Sequence, residues 1–422
     1  MRVINIVCRL CAGCREQVHE ARFRAVAVVV EAIMLAQRVT LTAVGRTVRS
    51  AAMARHRIKM VDRLLGNARL QRERLAWFAA VAERLVRGQR RVVVLLDWTK
   101  IHGELWALVA SVPYVGRSLP ILAEARHESE VGSREVHIQF LRALRRVLPM
   151  GNRTVIVADG GFRSPFFRAC AACGMDFVIR LRNDRAVVEY IPRGKRIKFS
   201  RLFGRALDVA RCMGMAWPYA SSSQVENCRL VLAPSPPKAN RRRRYRDDYE
   251  RKRAAEPWLL ATSLENSHAD TIVQIYRTRM QIEESFRDAK NPRFGWALGH
   301  TLTRSVERMN VLLLLAAIAL VATTLVGGAA DADGLERQFR ASSRAARVLS
   351  LFALGSLILR HAVPIPLYKV WKQLKVIRRC TAGLFPRITP PRSENRNVSL
   401  PLPHDLFCAD CGWNGAKYGW PA

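Results

Sequence analysis

The stretch Ile275-Tyr-Arg-Thr-Arg-Met-Gln-Ile-Glu-Glu-Ser-Phe-Arg-Asp-Ala-Lys290 has no proline or glycine and is rich in helix-favouring residues, so it predicts one continuous helix. Four of its side chains stand at offsets of 0, 3, 7 and 14, namely Tyr276, Arg279, Glu283 and Lys290. At about 100° per residue, these positions fall within an arc of about 60°. One face would present a carboxylate beside an aromatic hydroxyl and two cations, groups that bind metal and phosphate. A solvated charged face is the alternative interpretation.

Two acids upstream each follow a short apolar run. Asp97 comes directly after Val92-Val-Val-Leu-Leu96, and Asp159 comes directly after Thr154-Val-Ile-Val-Ala158. Continuous apolar runs of this length are typical of buried strands, so each predicts a central strand that ends in an acid. These two aspartates and Glu283 are far apart in the sequence, and only the fold could bring them together.

The segments around these runs predict the rest of a mixed sheet. Three more strands are expected at Leu105–Val112, Ser118–Ala123 and Asp176–Leu181, and two helices at Arg134–Leu148 and Pro165–Cys173. The resulting order β-β-β-α-β-α-β, with acids closing the first and fourth strands, predicts an α/β fold with a ribonuclease H-like core. Sites in such sheets form at strand ends.

Shifts in composition divide the chain into five segments. These are a helical DNA-binding domain at 1–90, the first part of the core at 91–182, a β-rich insertion at 183–256, the second part of the core with the Glu283 helix at 257–330, and a helical region with a loosely ordered tail at 331–422. The insertion contains a basic run, Lys238–Arg253, that is too charged to pack and is expected to be an exposed loop. Val311–Val326 is the one transmembrane candidate. Because it is shorter than the ~20 residues that span a bilayer, we expect a buried core helix and no membrane.

The strong positive charge indicates a polyanionic partner. The formal net charge is +36 and the pI is about 11.2, which favours DNA or RNA because arginine binds phosphate at two points. Four of the cations fall on a helical pattern near the N-terminus, at Arg46, Arg49, Arg55 and Arg57. Such a basic module is of the kind that lies on a duplex, with helix-turn-helix as one form. A solvated, arginine-rich bundle is the alternative.

Two cysteine groups have zinc-like spacing, Cys8-x2-Cys11-x2-Cys14 and Cys408-x2-Cys411. They stand at opposite ends of the chain, so buried or free thiols are favoured over a zinc site. His127 and His137 have no convincing ligand spacing and are expected to be satisfied surface or core histidines. No signal-peptide pattern precedes Cys8, and a reducing cytosol is expected.

The spaced residues of the opening stretch also resemble a known signature. Tyr276-x2-Arg279-x3-Glu283-x6-Lys290 matches the YREK signature of the insertion-sequence-four family of DDE transposases. The segments Val-Leu-Leu-Asp97-Trp and Val-Ala-Asp159-Gly-Gly-Phe look like that family's first two acidic motifs. The similarity covers about residues 40–360, which is most of the chain.

The resemblance implies an enzyme that nicks double-stranded DNA at the ends of an insertion sequence. The freed 3′-hydroxyl would form a hairpin, which would be reopened and joined to target DNA. Asp97, Asp159 and Glu283 would be the catalytic residues and would hold two Mg²⁺ ions, with Mn²⁺ as a substitute. The enzyme would work as a homodimer, since two element ends must meet, and in the bacterial cytoplasm on the nucleoid.

The resemblance also implies contacts with DNA. Tyr276, Arg279 and Lys290 would hold backbone phosphates beside the cleavage site. Trp258 would stack on a base flipped out during hairpin formation, and a Trp packed in the core is the alternative. Two other functions stay open. One is a nuclease on the same core that cuts without joining, and the other is a non-catalytic DNA-binding descendant whose acids are relics.

Overall fold

The computed structural model of this chain describes residues 3–162, 164–182, 187–190, 196–203, 208–218, 228–234, 256–293, 295–343 and 347–385. Three regions discussed from the sequence lie outside the described residues, namely the basic run Lys238–Arg253, the pair Cys408 and Cys411, and the tail from Pro386.

Helices fill the chain up to the first strand, as the sequence predicts. They are α1 at Val3–Leu10, α2 at Glu20–Ala36, α3 at Leu41–Thr47, α4 at Ala54–Leu65 and α5 at Ala68–Val86. Asn67 caps α5, because its side chain accepts a hydrogen bond from the Leu70 amide at 2.9 Å. Thr40 precedes α3, and its side chain makes no capping hydrogen bond.

The next segment forms a mixed sheet with two helices. Its elements are β1 at Arg91–His102, β2 at Leu105–Tyr114, β3 at Arg117–His127, α6 at Arg134–Val147, β4 at Arg153–Ala158, α7 at Ser164–Ala172 and β5 at Asp176–Leu181. They pair in the order β3-β2-β1-β4-β5. β4 is parallel to its neighbours β1 and β5, and β2 is antiparallel to its neighbours β1 and β3. The predicted order of elements is confirmed. The predicted end of β1 at Asp97 is wrong, because Asp97 pairs with Val109 of β2 and the strand continues to His102.

Strands from the expected insertion extend the same sheet. They are β6 at Val187–Tyr190, β7 at Arg196–Lys198, β8 at Arg211–Pro218 and β9 at Cys228–Ala233, with a short helix α8 at Phe199–Phe203. The strand after the insertion is β10 at Trp258–Thr262. β10 is antiparallel to both β5 and β9. Within the described residues, the sheet therefore has ten strands and continues as β5-β10-β9-β8-β6-β7.

The stretch Ile275–Lys290 does not form the single helix that was predicted. It is divided between α9 at Ala269–Arg277 and α10 at Met280–Lys290. In the turn between them, the amides of Thr278 and Arg279 donate to carbonyls three residues back instead of four. The Thr278 hydroxyl also donates to the Ile275 carbonyl at 2.6 Å, the oxygen that an α-helix would pair with Arg279. Tyr276 therefore belongs to a different helix from Glu283 and Lys290.

A long apolar helix forms the centre of the core. The remaining helices are α11 at Val306–Ala332, α12 at Glu336–Phe339, α13 at Leu351–Arg360 and α14 at Leu367–Ala382. α11 packs against β3, α2, α5, α13 and α14. By length and composition α11 could cross a membrane, and the bent pair α2 and α3 passes the same test, but 94% of the apolar window of α11 is buried in the fold. The predicted core helix is confirmed, and it is longer than Val311–Val326.

Two glycines allow α11 and α13 to approach backbone to backbone. A Cβ added to Gly355 of α13 would overlap the Thr323 carbonyl oxygen of α11. A Cβ on Gly327 of α11 would likewise overlap the Leu351 carbonyl oxygen. Because backbone atoms cannot yield as a flexible side chain can, both positions require glycine.

Candidate active site

The strand register brings the two aspartates to one edge of the sheet. β1 and β4 are parallel, and their last aligned pair is Leu95 with Val157. Asp97 and Asp159 each stand two residues beyond this pair, so they lie side by side on the same face. The Asp159 Oδ1 atom accepts a hydrogen bond from the Gly161 amide at 2.9 Å, which fixes the carboxylate in the turn after β4.

Space, rather than an unusual backbone conformation, explains the glycines of this turn. Neither Gly160 nor Gly161 has a positive φ. A Cβ on Gly160 would lie 2.7 Å from Cβ and Cγ of Arg182, just beyond β5. The turn that carries Asp159 can therefore approach β5 only because residue 160 has no side chain.

Arg279, in the turn before α10, lies between all three acids. Its Nη2 atom is 3.3 Å from Oδ2 of Asp97 and 3.6 Å from Oδ2 of Asp159. Its Nη1 atom donates to Oε1 of Glu283, one helical turn away. The fold thus gathers Asp97, Asp159 and Glu283 around one guanidinium group, which is only 9% exposed.

Burial dominates the electrostatics of this acid cluster. Burial raises the pKa of Asp97 to about 7, and the attraction of Arg279 offsets only part of the effect. Burial acts to lower the pKa of Arg279, but the neighbouring acids outweigh it and raise that pKa above its usual range. Exposure of the carboxylate side chains increases from 15% at Asp97 to 23% at Asp159 and 35% at Glu283, so the cluster opens to solvent beside α10.

The donor set suits a hard divalent cation, although the guanidinium occupies its centre. As the side chains stand, no three His, Cys, Asp or Glu in the described part of the chain are arranged to hold a metal ion. Carboxylate oxygens are the ligands that Mg²⁺ and Mn²⁺ prefer, and three carboxylates face one partly open point. Burial is the main cause of the raised pKa of Asp97, since it disfavours the charged carboxylate, and a bound cation would stabilise that charged form. The residues therefore fit a metal.

Tyr276 and Trp258 are buried beside the cluster. Their exposed fractions are 5% and 8%, and their rings pack edge to face with centroids 4.9 Å apart. Burial raises the pKa of Tyr276, against the effect of Arg279 and Arg180 nearby. Trp258 is the first residue of β10 and packs as part of the core, which is the alternative to a stacking Trp, so neither ring presents an open face for stacking.

Lys290, at the end of α10, reaches back to β1. Its Nζ atom donates to Oγ1 of Thr99 at 2.8 Å and to the Lys100 carbonyl at 3.3 Å. Burial lowers the pKa of Lys290, and the charge of Asp97 works in the opposite direction. The ammonium group is therefore held two residues along β1 from Asp97.

Two arginines that were not singled out from the sequence also border the site. Arg180 is buried in β5 and pairs with Glu256 across 3.8 Å, and Arg182 follows the end of the same strand. Both lie close enough to Tyr276 to affect its pKa. The available signal was their i, i+2 spacing at the carboxyl end of a strand, which places both side chains on one face.

His137 is a satisfied core histidine, as expected, and it supports the segments after both aspartates. The indole Nε1 of Trp98 donates to its Nε2 atom at 3.0 Å, and the Phe162 ring lies against the imidazole at 4.7 Å between centroids. Burial lowers the pKa of His137 to about 4, so the ring is neutral and can accept this bond. Trp98 follows Asp97, and Phe162 follows Asp159 by three residues.

The arginines proposed for the N-terminal helices lie on α3, α4 and the turn between them. Arg46, Arg49 and Arg55 are exposed. Arg57 is half-buried, and its Nη1 atom donates to the Val48 carbonyl at 2.7 Å, which ties α4 to the end of α3. Three of the four guanidinium groups are thus available at the surface.

The N-terminal helices are also fixed to the core near the end of α10. The Arg308 side chain at the start of α11 donates to Asp62 of α4. The Val39 amide before α3 donates at 3.3 Å to the carbonyl of Trp296, in the segment between α10 and α11. The basic helices therefore have a defined position relative to the acids.

The N-terminal cysteines are free thiols. Cys11 is fully buried, and Cys14 donates from its sulfur to the Cys11 carbonyl at 3.1 Å. Burial raises the pKa of Cys11 and raises that of Cys14 to about 12, which disfavours the thiolate that zinc requires. The burial of Cys11 and Cys14 favours thiols over a zinc site, and this preference stays a prediction.

Comparison with known proteins gives one family. A family model described as Transposase DDE domain matches residues 88–322, more than half of the chain, and the match includes Asp97, Asp159 and Glu283. No curated protein matches the chain.

Proposed function

The chain belongs to the transposases that carry the DDE domain, and from this membership we propose that it cuts DNA at the inverted-repeat ends of an insertion sequence and joins those ends to a target. The observation that carries the proposal is the meeting of three sequence-distant acids at one point of the fold. The spaced residues from Tyr276 to Lys290 support the insertion-sequence-four type, with its YREK signature and hairpin intermediate.

The proposed core is ribonuclease H-like. In support, the first five strands pair in the order β3-β2-β1-β4-β5, with three parallel strands flanked by an antiparallel pair. The acids stand where parallel β1 and β4 stop pairing, and open α/β sheets form their sites at such strand ends.

Asp97, Asp159 and Glu283 are proposed to hold two Mg²⁺ ions, or Mn²⁺ as a substitute. Such ions, when bound, lower the pKa of the attacking hydroxyl and stabilise the charge of the leaving oxygen. The protein places Asp97 within β1, Asp159 in the turn directly after β4 and Glu283 on α10, so their positions are set before DNA arrives.

Cations around the acids are proposed to hold the DNA backbone. Lys290 lies on one side along β1, and Arg180 and Arg182 lie on the other beside Tyr276. Arginine and lysine at these positions would neutralise the phosphates that flank the scissile bond. Stacking of Trp258 on a flipped base requires its ring to leave the edge-on contact with Tyr276.

The exposed arginines of α3 and α4 support a DNA-binding role for the N-terminal helices. Because these helices are fixed to the core, they would contact the element end while the acids contact the cleavage site. The active form is proposed to be a homodimer on two element ends, in the cytoplasm of a bacterium.

The test uses the full chain with DNA that carries the inverted repeats expected to flank its own gene. Asp97→Asn, Asp159→Asn and Glu283→Gln should abolish Mg²⁺-dependent cleavage and leave end binding within a few-fold of wild type. Glu284→Gln is the matched control, since Glu284 is next to Glu283 and pairs with Arg287 instead of Arg279. Normal cleavage by Glu283→Gln would refute the assignment of the third acid.

Strand transfer is tested separately with pre-cut ends. Joining of these ends to a second DNA supports a transposase, whereas cutting without joining would identify a nuclease. Specific end binding without either reaction would identify a DNA-binding relative of the same fold.

A further inference from the structure

We propose that Arg279 is an internal counter-cation that occupies the metal position of the acid cluster, and that it must leave before metal ions can bind. Once displaced, the same side chain becomes free for a DNA phosphate. This proposal rests on the proposed function, because it concerns the same three acids. It goes further by assigning to one arginine the control of metal affinity.

The geometry of the guanidinium group carries the first step. Its Nη2 atom faces Asp97 at 3.3 Å and Asp159 at 3.6 Å, while Nη1 binds Glu283. One planar cation thus contacts every carboxylate of the set, and its side chain is only 9% exposed. An ordinary salt bridge engages one acid, whereas this arrangement fills the point at which the three acids meet.

Charge explains why the arginine and metal ions compete. Three carboxylates contact this one guanidinium group, while Lys290 is held at Thr99 and Arg180 pairs with Glu256, so a divalent ion at the centre would offer the acids more charge than the arginine does. A divalent ion among the same oxygens would stand within a few ångströms of the guanidinium group, and two like charges at that separation repel strongly in a buried site. The acids therefore bind either the arginine or the metal at their centre.

The surroundings of Arg279 support its release. Its Nε atom is buried without a hydrogen-bond partner, so one of its donors gains nothing from the present position. The neighbouring Met280 is 39% exposed, and its sulfur lies 4.0 Å from Nη1 on the open side of the cluster. A guanidinium that swings past Met280 reaches solvent, where a phosphate can engage two of its N–H groups.

Metal and DNA binding are coupled as a consequence. Metal ions release Arg279, and a phosphate that binds the released arginine prevents its return to the acids. Each ligand therefore strengthens the binding of the other, as linkage requires. Without metal, the arginine keeps the cluster closed and holds the carboxylates in place.

The test measures Mn²⁺ binding to the DNA-free full chain, by the loss of the free-Mn²⁺ signal in electron paramagnetic resonance. Arg279→Gln should bind Mn²⁺ at least about tenfold more tightly than wild type, and in EDTA it should melt at a lower temperature. Arg287→Gln is the control, since it removes the same charge two turns along and pairs with Glu284 rather than with Asp97, Asp159 or Glu283. It should bind Mn²⁺ as wild type does.

Unchanged or weaker Mn²⁺ binding by Arg279→Gln would overturn the proposal, because weaker binding means that the arginine only organises the acids. Arg279→Lys keeps the positive charge but lacks the two Nη groups that contact the acids, so its Mn²⁺ affinity should lie between those of wild type and Arg279→Gln. This variant tests the proposal even if Arg279→Gln is too unstable to study. An equal affinity for Arg279→Lys and wild type would then refute competition by the guanidinium. Adding Asp97→Asn to Arg279→Gln should abolish the tight site.

The outcomes separate this inference from the proposed function. If wild type cleaves DNA with Mn²⁺ but Arg279→Gln binds the ion no more tightly, the proposed role of Arg279 as a counter-cation is refuted and the proposed transposase function is not. If neither protein binds Mn²⁺ at millimolar concentration, the metal site itself fails, and this inference fails with it.

Discussion

Acidification is expected to destabilise the fold at His137. The imidazole is buried and accepts a hydrogen bond from Trp98, and burial lowers its pKa from 6.5 to about 4. In the unfolded chain the same group takes up a proton near its ordinary pKa. Above pH 6.5, His137 is neutral in both the folded and the unfolded state and does not change the free energy of unfolding. Below pH 6.5, the unfolded state takes up a proton that the folded state does not, so the free energy of unfolding decreases as the pH falls.

The size of the effect follows from the two pKa values. Between pH 8 and pH 5, the difference in proton uptake reduces the free energy of unfolding by about 2 kcal/mol, and by about 3 kcal/mol once the pH is below 4. Protonation at Nε2 also removes the acceptor for Trp98, which adjoins Asp97. We therefore expect the edge of the active site to loosen over the same range.

The assay is urea unfolding at pH 8, 6.5 and 5 for wild type and for His137→Gln, whose side chain does not titrate. The stability difference between the two proteins should change by about 2 kcal/mol from pH 8 to pH 5. His268→Gln is the control, because His268 is exposed and its side chain makes no capping hydrogen bond. A pH-independent difference for His137→Gln, or a pKa of His137 above 6 by NMR, would refute the reasoning.

Substitutions at Lys290 and Gly355 test DNA binding and the packing of the core. Lys290→Ala should weaken end binding and reduce the slope of log affinity against log salt by about 1, although Lys290 must first release Thr99; an unchanged slope would contradict its phosphate role. Gly355→Ala should lower the free energy of unfolding by about 3 kcal/mol or more, since its Cβ meets the Thr323 carbonyl, and urea unfolding measures the loss. Gly13→Ala, with ordinary contacts at 3.6 Å, should change stability far less, and equal losses would show that the close helix approach is not the cause.

The strands could be predicted because their physical signal is local. Asp176–Leu181 matches its strand end to end, since its centre, Phe177-Val-Ile179, is a short run of β-favouring apolar residues that is typical of a buried strand. The end of β1 could not be predicted in the same way. Asp97 and the residues after it are strand because they pair with β2, and this pairing depends on a neighbour rather than on their own character.

The convergence of the acids was predictable in outline, but the position of Arg279 was not. Helix propensity cannot detect that the Thr278 hydroxyl takes the carbonyl that should continue the helix, so the break before α10 was missed. The family resemblance implies a DNA phosphate as the partner of Arg279, whereas in the fold its side chain contacts the three acids.

The bonds that fix the N-terminal helices to the core also fix the distance between the two proposed DNA contacts of the protein. Since Arg308 holds Asp62 and Trp296 holds Val39, the distance from the basic helices to the acids is a property of the folded chain. In the proposed complex, one extra base pair between the bound end and the cut phosphate would turn the two out of phase by roughly 35°. We therefore expect cleavage to depend on the number of base pairs between the bound sequence and the cut site as strongly as on the base sequence of the repeat.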